Sequence, residues 1–338
     1  MNINATGLLL CTFLVGCGGT APFGDTNATT DDTIASDREL PPGTTSPQPS
    51  TTIFRKEAES ETGNGFAQGV SYNATDDTFS VDNLPFDGGS DTPYVRGTAV
   101  SSFGDYGVYE AVAQYPDSQN GQAINQFRHR AIYGVSTSGE TEFAIVRTGA
   151  YVDYGFGGFV YERNGRVVLP TTGQAVFTGR GAGLRDFQGS GGLEYTTSDV
   201  EIAIDFDDFN DSTGRYEGAV DGTMRNRRIF DLNGQEITND VIARINASED
   251  ASLTAIPTAV FSISVNALDP NGEITGDVTS RLVKNSGEAV PYETGKYYGI
   301  VSGDTADEIV GIVVLETSRD PSVSMARDTT GFTIYRQP

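Results

Sequence analysis

His129 is the only histidine in the chain, and it stands between two arginines in Asn125-Gln126-Phe127-Arg128-His129-Arg130. An imidazole in that setting could bind haem iron at an axial position. A tyrosine such as Tyr133 would complete the site, and Arg128 and Arg130 would meet the propionates. The simpler reading is an exposed polar residue at the start of a strand. A Ser-His-Asp site would need the same histidine, and no nucleophile-elbow spacing accompanies it. Asp205-Phe206-Asp207-Asp208-Phe209-Asn210-Asp211 is a dense carboxylate run of the kind a hard cation uses. It departs from the EF-hand pattern, because Phe209 and Ser212 stand where an acidic residue and a glycine are needed, and Asp269-Pro270-Asn271-Gly272 departs too. Arg225, Arg227 and Arg228 follow on the next expected strand, and pairing with these aspartates is the cheaper account of the run. Acidic residues are so frequent here that carboxylates close in sequence say nothing for a glycosidase. Walker, dinucleotide and zinc-protease motifs are absent, and Arg180-Gly181-Ala182-Gly183-Leu184 reads as a turn. No residue is assigned a catalytic or metal-binding role, and the chain is read as a non-enzyme.

The thiol of Cys17 is the other reactive group. It follows an apolar run, Leu8 to Gly16, that is too short to span a bilayer and ends in small residues. That run reads as a secretory h-region with a processing site. Leu14-Val15-Gly16-Cys17 resembles the lipobox of bacterial lipoproteins. The resemblance implies that Cys17 is diacylated, becomes the new N-terminus and is acylated again. Acyl chains contribute about 0.8 kcal/mol per buried CH₂, so several chains on one cysteine make detachment rare. Met1 to Gly7 holds no Lys or Arg, so the α-amino group is the only positive charge of the n-region. The only other cysteine, Cys11, lies in the removed segment. The mature chain therefore has no disulfide, no thiolate nucleophile and no cysteine zinc site.

The net charge of −24 over 338 residues repels nucleic acid and anionic lipid surfaces. Contact with the membrane is expected through the lipid anchor alone, and the charge itself is explained by solubility. Gly 41, Tyr 15 and Phe 18 without tryptophan fit an all-β protein.

Four segments follow. Residues 1–16 are the lipoprotein signal peptide. Residues 17–62 carry the lipidated cysteine and a disordered tether rich in Thr, Asp, Ser and Pro, with an r.m.s. span of roughly 35–40 Å. Residues 63–169 form a β-rich domain. Its strand candidates are Val108–Tyr115, Thr141–Thr148 and a hairpin in which Asn164-Gly165 joins Phe159–Glu162 to Val167–Leu169. Residues 170–338 repeat the pattern. Val200, Ile202, Ile204 and Phe206 alternate with polar residues, as do Phe261, Ile263 and Val265. Asn239 to Ser248 reads as a short helix between strands. Evenly spaced strands imply a sandwich or a barrel.

Three segments of the second half resemble the β-barrel domain of transferrin-binding-protein-B-like surface lipoproteins. They are Pro170–Gly179, Val200–Phe206, and Gly295-Lys296-Tyr297-Tyr298-Gly299 through Ala306-Asp307-Glu308-Ile309-Val310-Gly311. The resemblance implies a C-terminal eight-stranded up-and-down barrel after a β-rich handle-like domain. Ala306–Glu308 should sit at a turn, and the Tyr297-Tyr298 pair should fill a narrow barrel. Closed on itself, the barrel should fold alone. The resemblance further implies a lipid-anchored protein of the outer membrane, facing the periplasm or the cell surface. Its partners would be the lipoprotein processing and sorting machinery, a surface-lipoprotein translocon and an external ligand. Characterised members capture iron-bearing host proteins or haem. Recognition would lie on barrel loops and the first domain, where the match is poorest. A structural or assembly lipoprotein with no small ligand is the alternative.

Overall fold

The computed structural model describes residues 52–57, 65–87, 92–117, 119–149, 155–210, 212, 215–216, 220–262 and 267–338. The signal peptide, Cys17 and most of the tether lie outside them. The first described strand, β1 (Thr52–Lys56), lies inside the segment assigned to the tether. Ile53 and Arg55 of that strand are buried, so the folded body begins earlier than composition suggested.

The first domain then runs through β2 (Val70–Asn73), β3 (Thr78–Val81), β4 (Tyr94–Arg96), β5 (Ser102–Phe103) and β6 (Tyr106–Glu110). A separate pair, β7 (Gln114–Pro116) with β8 (Ala123–Asn125), precedes β9 (Arg130–Val135), β10 (Thr141–Arg147) and β11 (Gly157–Asn164). Antiparallel pairing gives a nine-stranded sheet in the order β1-β11-β10-β9-β6-β4-β3-β2, with β5 on β6. The expected hairpin at Asn164-Gly165 is not formed. Val167 instead makes an isolated bridge to Gly303, as the chain crosses to the second domain.

The second domain is a closed barrel. Its first strands are β12 (Gln174–Phe187) and β13 (Leu193–Asp205), followed by a short pair, β14 (Phe209–Asn210) with β15 (Arg215–Tyr216). Then come β16 (Val220–Phe230), α1 (Thr238–Glu249), β17 (Ala259–Phe261), β18 (Glu273–Val283), β19 (Ala289–Ser302), β20 (Glu308–Thr317) and β21 (Ala326–Arg336). The ring β12-β13-β16-β17-β18-β19-β20-β21 closes by pairing of β21 with β12. This is the eight-stranded up-and-down barrel the sequence resemblance implied, and α1 matches the expected helix to within one residue at each end.

Period-two alternation divides each strand between an inner and an outer face. At one end the interior is apolar, built from Phe177, Ile202, Ile204, Met224, Val313 and Phe332, with Tyr297 stacked on Phe261 at 4.4 Å between ring centroids. At the other end it is charged. Arg227 binds both carboxylate oxygens of Glu293 and reaches Asp328 at 3.2 Å, and Arg185 binds Glu194 and Asp320. Hydroxyls of Ser280, Thr196 and Thr330 complete this network. Helix α1 packs Val241 and Ile245 over this end with Ile229 and Leu282. Arg180-Gly181-Ala182-Gly183-Leu184 is therefore the middle of β12 and not a turn. A Cβ on Gly183 would stand 2.4 Å from the Thr329 carbonyl and 2.6 Å from the Thr196 hydroxyl, so glycine makes room for the polar interior.

The outer face of the barrel carries the first domain. Ala182, Leu184, Ile300, Val310 and Ile312 pack against Ile53, Val108, Ile132, Phe143, Ile145 and Tyr161. Tyr298 belongs here as well, 6.3 Å from the Phe159 ring, because adjacent strand residues face opposite ways. Only Tyr297 of the expected pair fills the barrel.

Candidate functional site

His129 precedes β9, and its alternation places it with Ala131 and Tyr133 on the face turned away from the barrel. It is fully buried, so it is not the exposed polar residue of the simpler reading. Its Nδ1 lies 3.3 Å from the Phe127 carbonyl, and its ring lies 6.1 Å from that of Tyr94. Nε2 has no hydrogen-bond partner among the described residues. Burial drives the imidazole pKa down to about 4, against a smaller opposing pull from the Phe127 carbonyl, so the ring is neutral at pH 7.

Tyr133 lies four residues along the chain, roughly 13 Å at strand rise, and its phenol donates to Glu142. The two side chains are thus not brought onto one metal ion. Arg130 points to the barrel side, where it is buried with its Nε 3.3 Å from Glu110, while Arg128 is exposed. Of the four residues nominated from sequence, His129 and Tyr133 share a face and the arginines do not join them.

Glu142 sits opposite Glu162 on adjacent strands, and both are buried. Desolvation raises the Glu142 pKa, while hydrogen bonds from Tyr133 and Glu162 oppose the rise. Neither carboxylate stood out from its sequence neighbours.

The acidic run is used for chain ends. Asp207 accepts from the Gly173 amide at 2.7 Å and Asp205 from the Gln174 side chain at 2.7 Å, which fixes the start of β12. The arginines expected to pair with it go elsewhere. Arg225 meets Glu201 at 2.8 Å, Arg228 lies 3.8 Å from Glu236, and Arg227 is turned into the barrel. Among the described residues no group of His, Cys, Asp or Glu is placed to hold a metal ion.

Two surface features stand out. The first domain presents Phe86, 59 % exposed at a left-handed φ of 58°, edge-on to Phe127, which in turn stacks on Phe156. The second is a cleft of about 530 Å³ at the corner where the β5–β6 turn, the barrel wall and α1 meet. It lies where β13 and β16 lose register. Thr197 is opposite Arg228 and Asp199 opposite Arg225, so the single residue Ser198 stands against two, Asn226 and Arg227, and β16 carries one extra residue. Asn226 takes a left-handed φ of 52° there and donates to Asp199 at 2.7 Å. Phe103, wedged between Tyr195 and Phe230 at 5.2 and 5.1 Å, forms part of the cleft wall. This cleft is assembled from five chain segments, so no local motif announces it.

No family model matches the chain, and no curated protein matches it. Among solved structures, it is similar to a double mutant of transferrin binding protein B from Haemophilus parasuis Hp5. The two are 13 % identical over 85 % of this chain and 45 % of that one, with a TM-score of 0.39. It is also similar to a mutant of the same protein from Actinobacillus pleuropneumoniae H49, at 14 % identity over 86 % of this chain and 100 % of that one, TM-score 0.32. A structure described as a surface lipoprotein matches at 13 % identity over 61 % of this chain and 80 % of that one, TM-score 0.30. The chain spans about half the length of the Haemophilus parasuis protein. No residue's role passes from these structures to this chain.

Proposed function

We propose that this chain is a lipid-anchored protein of the outer membrane that captures an external ligand on its outer surface and performs no catalysis. The lipobox-like Leu14-Val15-Gly16-Cys17 carries the reading, because a triply acylated cysteine fixes the chain to a membrane that its net charge would otherwise avoid. The packed barrel interior supports an outward-facing site. An eight-stranded barrel has room for side chains or at most one small ligand, and here apolar rings fill one half and ion pairs the other. Recognition then falls to the first domain, with the exposed ring of Phe86, edge-on to Phe127, as its most prominent apolar feature.

The motif resemblance makes an iron-bearing protein or haem the first ligand to test. The lipoprotein processing and sorting machinery, and a surface translocon, are the partners such a route requires.

Cell fractionation of the full chain and Cys17→Ser tests the anchor. The variant should leave the membrane fraction or accumulate unprocessed, and wild-type partitioning by the variant would overturn the assignment. Capture by the full chain, read by mass spectrometry and by haem absorbance, tests the ligand. Phe86→Ala should weaken capture of a protein. Failure to retain any protein or haem would favour a structural or assembly role.

A further inference from the structure

Four Asn-Gly pairs lie wholly within the described residues, and the fold treats one of them differently. Gly121, Gly234 and Gly272 take left-handed φ values of 71°, 80° and 83°. Their amides donate to the carbonyls of Asp117, Asp231 and Asp269 at 2.7, 3.0 and 3.0 Å, and each of these aspartates also caps its turn through its side chain. The fourth pair, Asn164-Gly165, is the one that turns no hairpin. Gly165 is not left-handed, and its amide donates to no acceptor among the described residues.

Carboxyl groups flank this pair. Asn164 is exposed at the end of β11, and its Nδ2 donates to the buried Glu162, which holds the side-chain amide in one orientation. Glu140 lies beside the glycine. A Cβ on Gly165 would stand 3.4 Å from Glu140 Oε2, so only glycine lets the carboxylate come this near without crowding. Glu140 is itself held, because Oε2 accepts from the Ser302 hydroxyl at 3.0 Å and its carbonyl accepts from the Asn164 amide at 2.7 Å. An open cleft of about 320 Å³, with Glu140 and Arg166 in its wall, brings water to the same place.

We propose that Asn164-Gly165 is a self-modifying site, converted to aspartate and isoaspartate through a cyclic imide with Glu140 as the base. The Gly165 nitrogen forms a bond to Asn164 Cγ, and the Cγ–Nδ2 bond breaks. Glu140 takes the proton from the Gly165 nitrogen, directly or through one water, and returns it to Nδ2, which leaves as ammonia. Water then opens the five-membered ring at either carbonyl, so no oxidant or reductant is needed. The product places a carboxylate where an amide donated to Glu162, beside the second buried carboxyl of Glu142. It also alters the backbone between Arg163, which holds the carbonyls of Gly165, Asn271 and Val301, and the crossing to the barrel at Val167. The modification therefore loosens the seam between the two domains as the protein ages.

Peptide mapping by mass spectrometry of the full chain, aged in mildly alkaline buffer, tests the proposal. The change from amide to acid at Asn164 should run roughly two- to tenfold faster than at Asn120, Asn233 or Asn271 in the same sample, since each of those must first give up a glycine hydrogen bond. In urea the four rates should converge. Glu140→Gln, which keeps the acceptor for Ser302, should slow Asn164 about tenfold and leave Asn233 unchanged. Asn164→Asp should lower the melting temperature, and adding Glu162→Gln should restore most of the loss. A rate at Asn164 no faster than at the other three, or a preference that persists in urea, would overturn the site. An unchanged rate in Glu140→Gln would overturn the role of the base, and an unchanged melting temperature in Asn164→Asp would overturn the effect on the seam.

Discussion

The guanidinium of Arg55 and the carboxylate of Glu273, 218 residues apart, meet through two hydrogen bonds of 2.6 and 2.7 Å with both side chains 2 % exposed. This pair ties the edge strand of the first domain to the first residue of β18. Around it Arg163 donates to the carbonyls of Asn271 and Val301, and Arg147 contacts Glu57 and Asp186. The two domains therefore share a buried polar seam as well as an apolar one.

Removing one member of a buried ion pair leaves an uncompensated charge. Arg55→Met should cost about 3–5 kcal/mol, and combining it with Glu273→Leu should recover most of that loss. Urea denaturation of the two single variants and the double variant measures the difference.

Phe143 of the first domain presses its ring onto Gly331 of the barrel, where a Cβ would stand 2.2 Å from the ring. Phe143→Ala should cost about 3–5 kcal/mol from the cavity it leaves. Gly331→Ala should cost about 1–3 kcal/mol by overpacking. Their combination should cost less than the sum, since the small ring-free side chain accepts the added methyl, and a double-mutant cycle reads this coupling directly.

His129 makes stability depend on acid. Its pKa falls from 6.5 in the unfolded chain to about 4 when buried, so between those values the unfolded state binds the extra proton. Stability should drop by about 3 kcal/mol as pH falls from 6.5 to 4, with no further contribution below that. His129→Leu should flatten this part of the profile in chemical denaturation across pH.

Glu142 acts in the opposite sense. Its folded pKa lies above the ordinary 4.5, so the unfolded chain loses its proton first as pH rises, and the folded state is penalised from there upward. Glu142→Gln keeps the acceptor for Tyr133 and should raise the melting temperature at pH 7 while leaving it nearly unchanged at pH 4. Thermal melts at the two pH values check the prediction.

Much of the barrel was legible because alternation is local. Val200, Ile202 and Ile204 announce their inner face without reference to any other strand. Tyr297-Tyr298 shows the limit. The motif named both rings, but only alternation applied to the closed ring separates the one inside from the one under the first domain. Arg227 was assigned the nearest acidic run, whereas its partners Glu293 and Asp328 lie across the interior, a proximity created by closure and invisible along the chain.

β1 was hidden because Ile53 and Phe54 follow a Thr- and Pro-rich stretch whose composition masks a five-residue strand. The expectation that the barrel folds alone rested on its lack of free edges. Its outer face, with Leu184, Val310 and Ile312 at 0 % exposure under the first domain, shows that a sheet without edges still has a face to cover. An excised barrel would expose that apolar face to water.

The ring also has an uneven circumference. Seven of its strands run for ten residues or more, but β17 spans only Ala259–Phe261 and joins β16 to β18 through three paired positions on each side. The long ladder from β18 through β21 and β12 to β16 can form as one curled sheet, and β17 then sets the last stave between its ends. Thermal breathing should begin at that stave, where the fewest ladder bonds must part, and spread from it, so the barrel opens as a cask does, at its narrowest board.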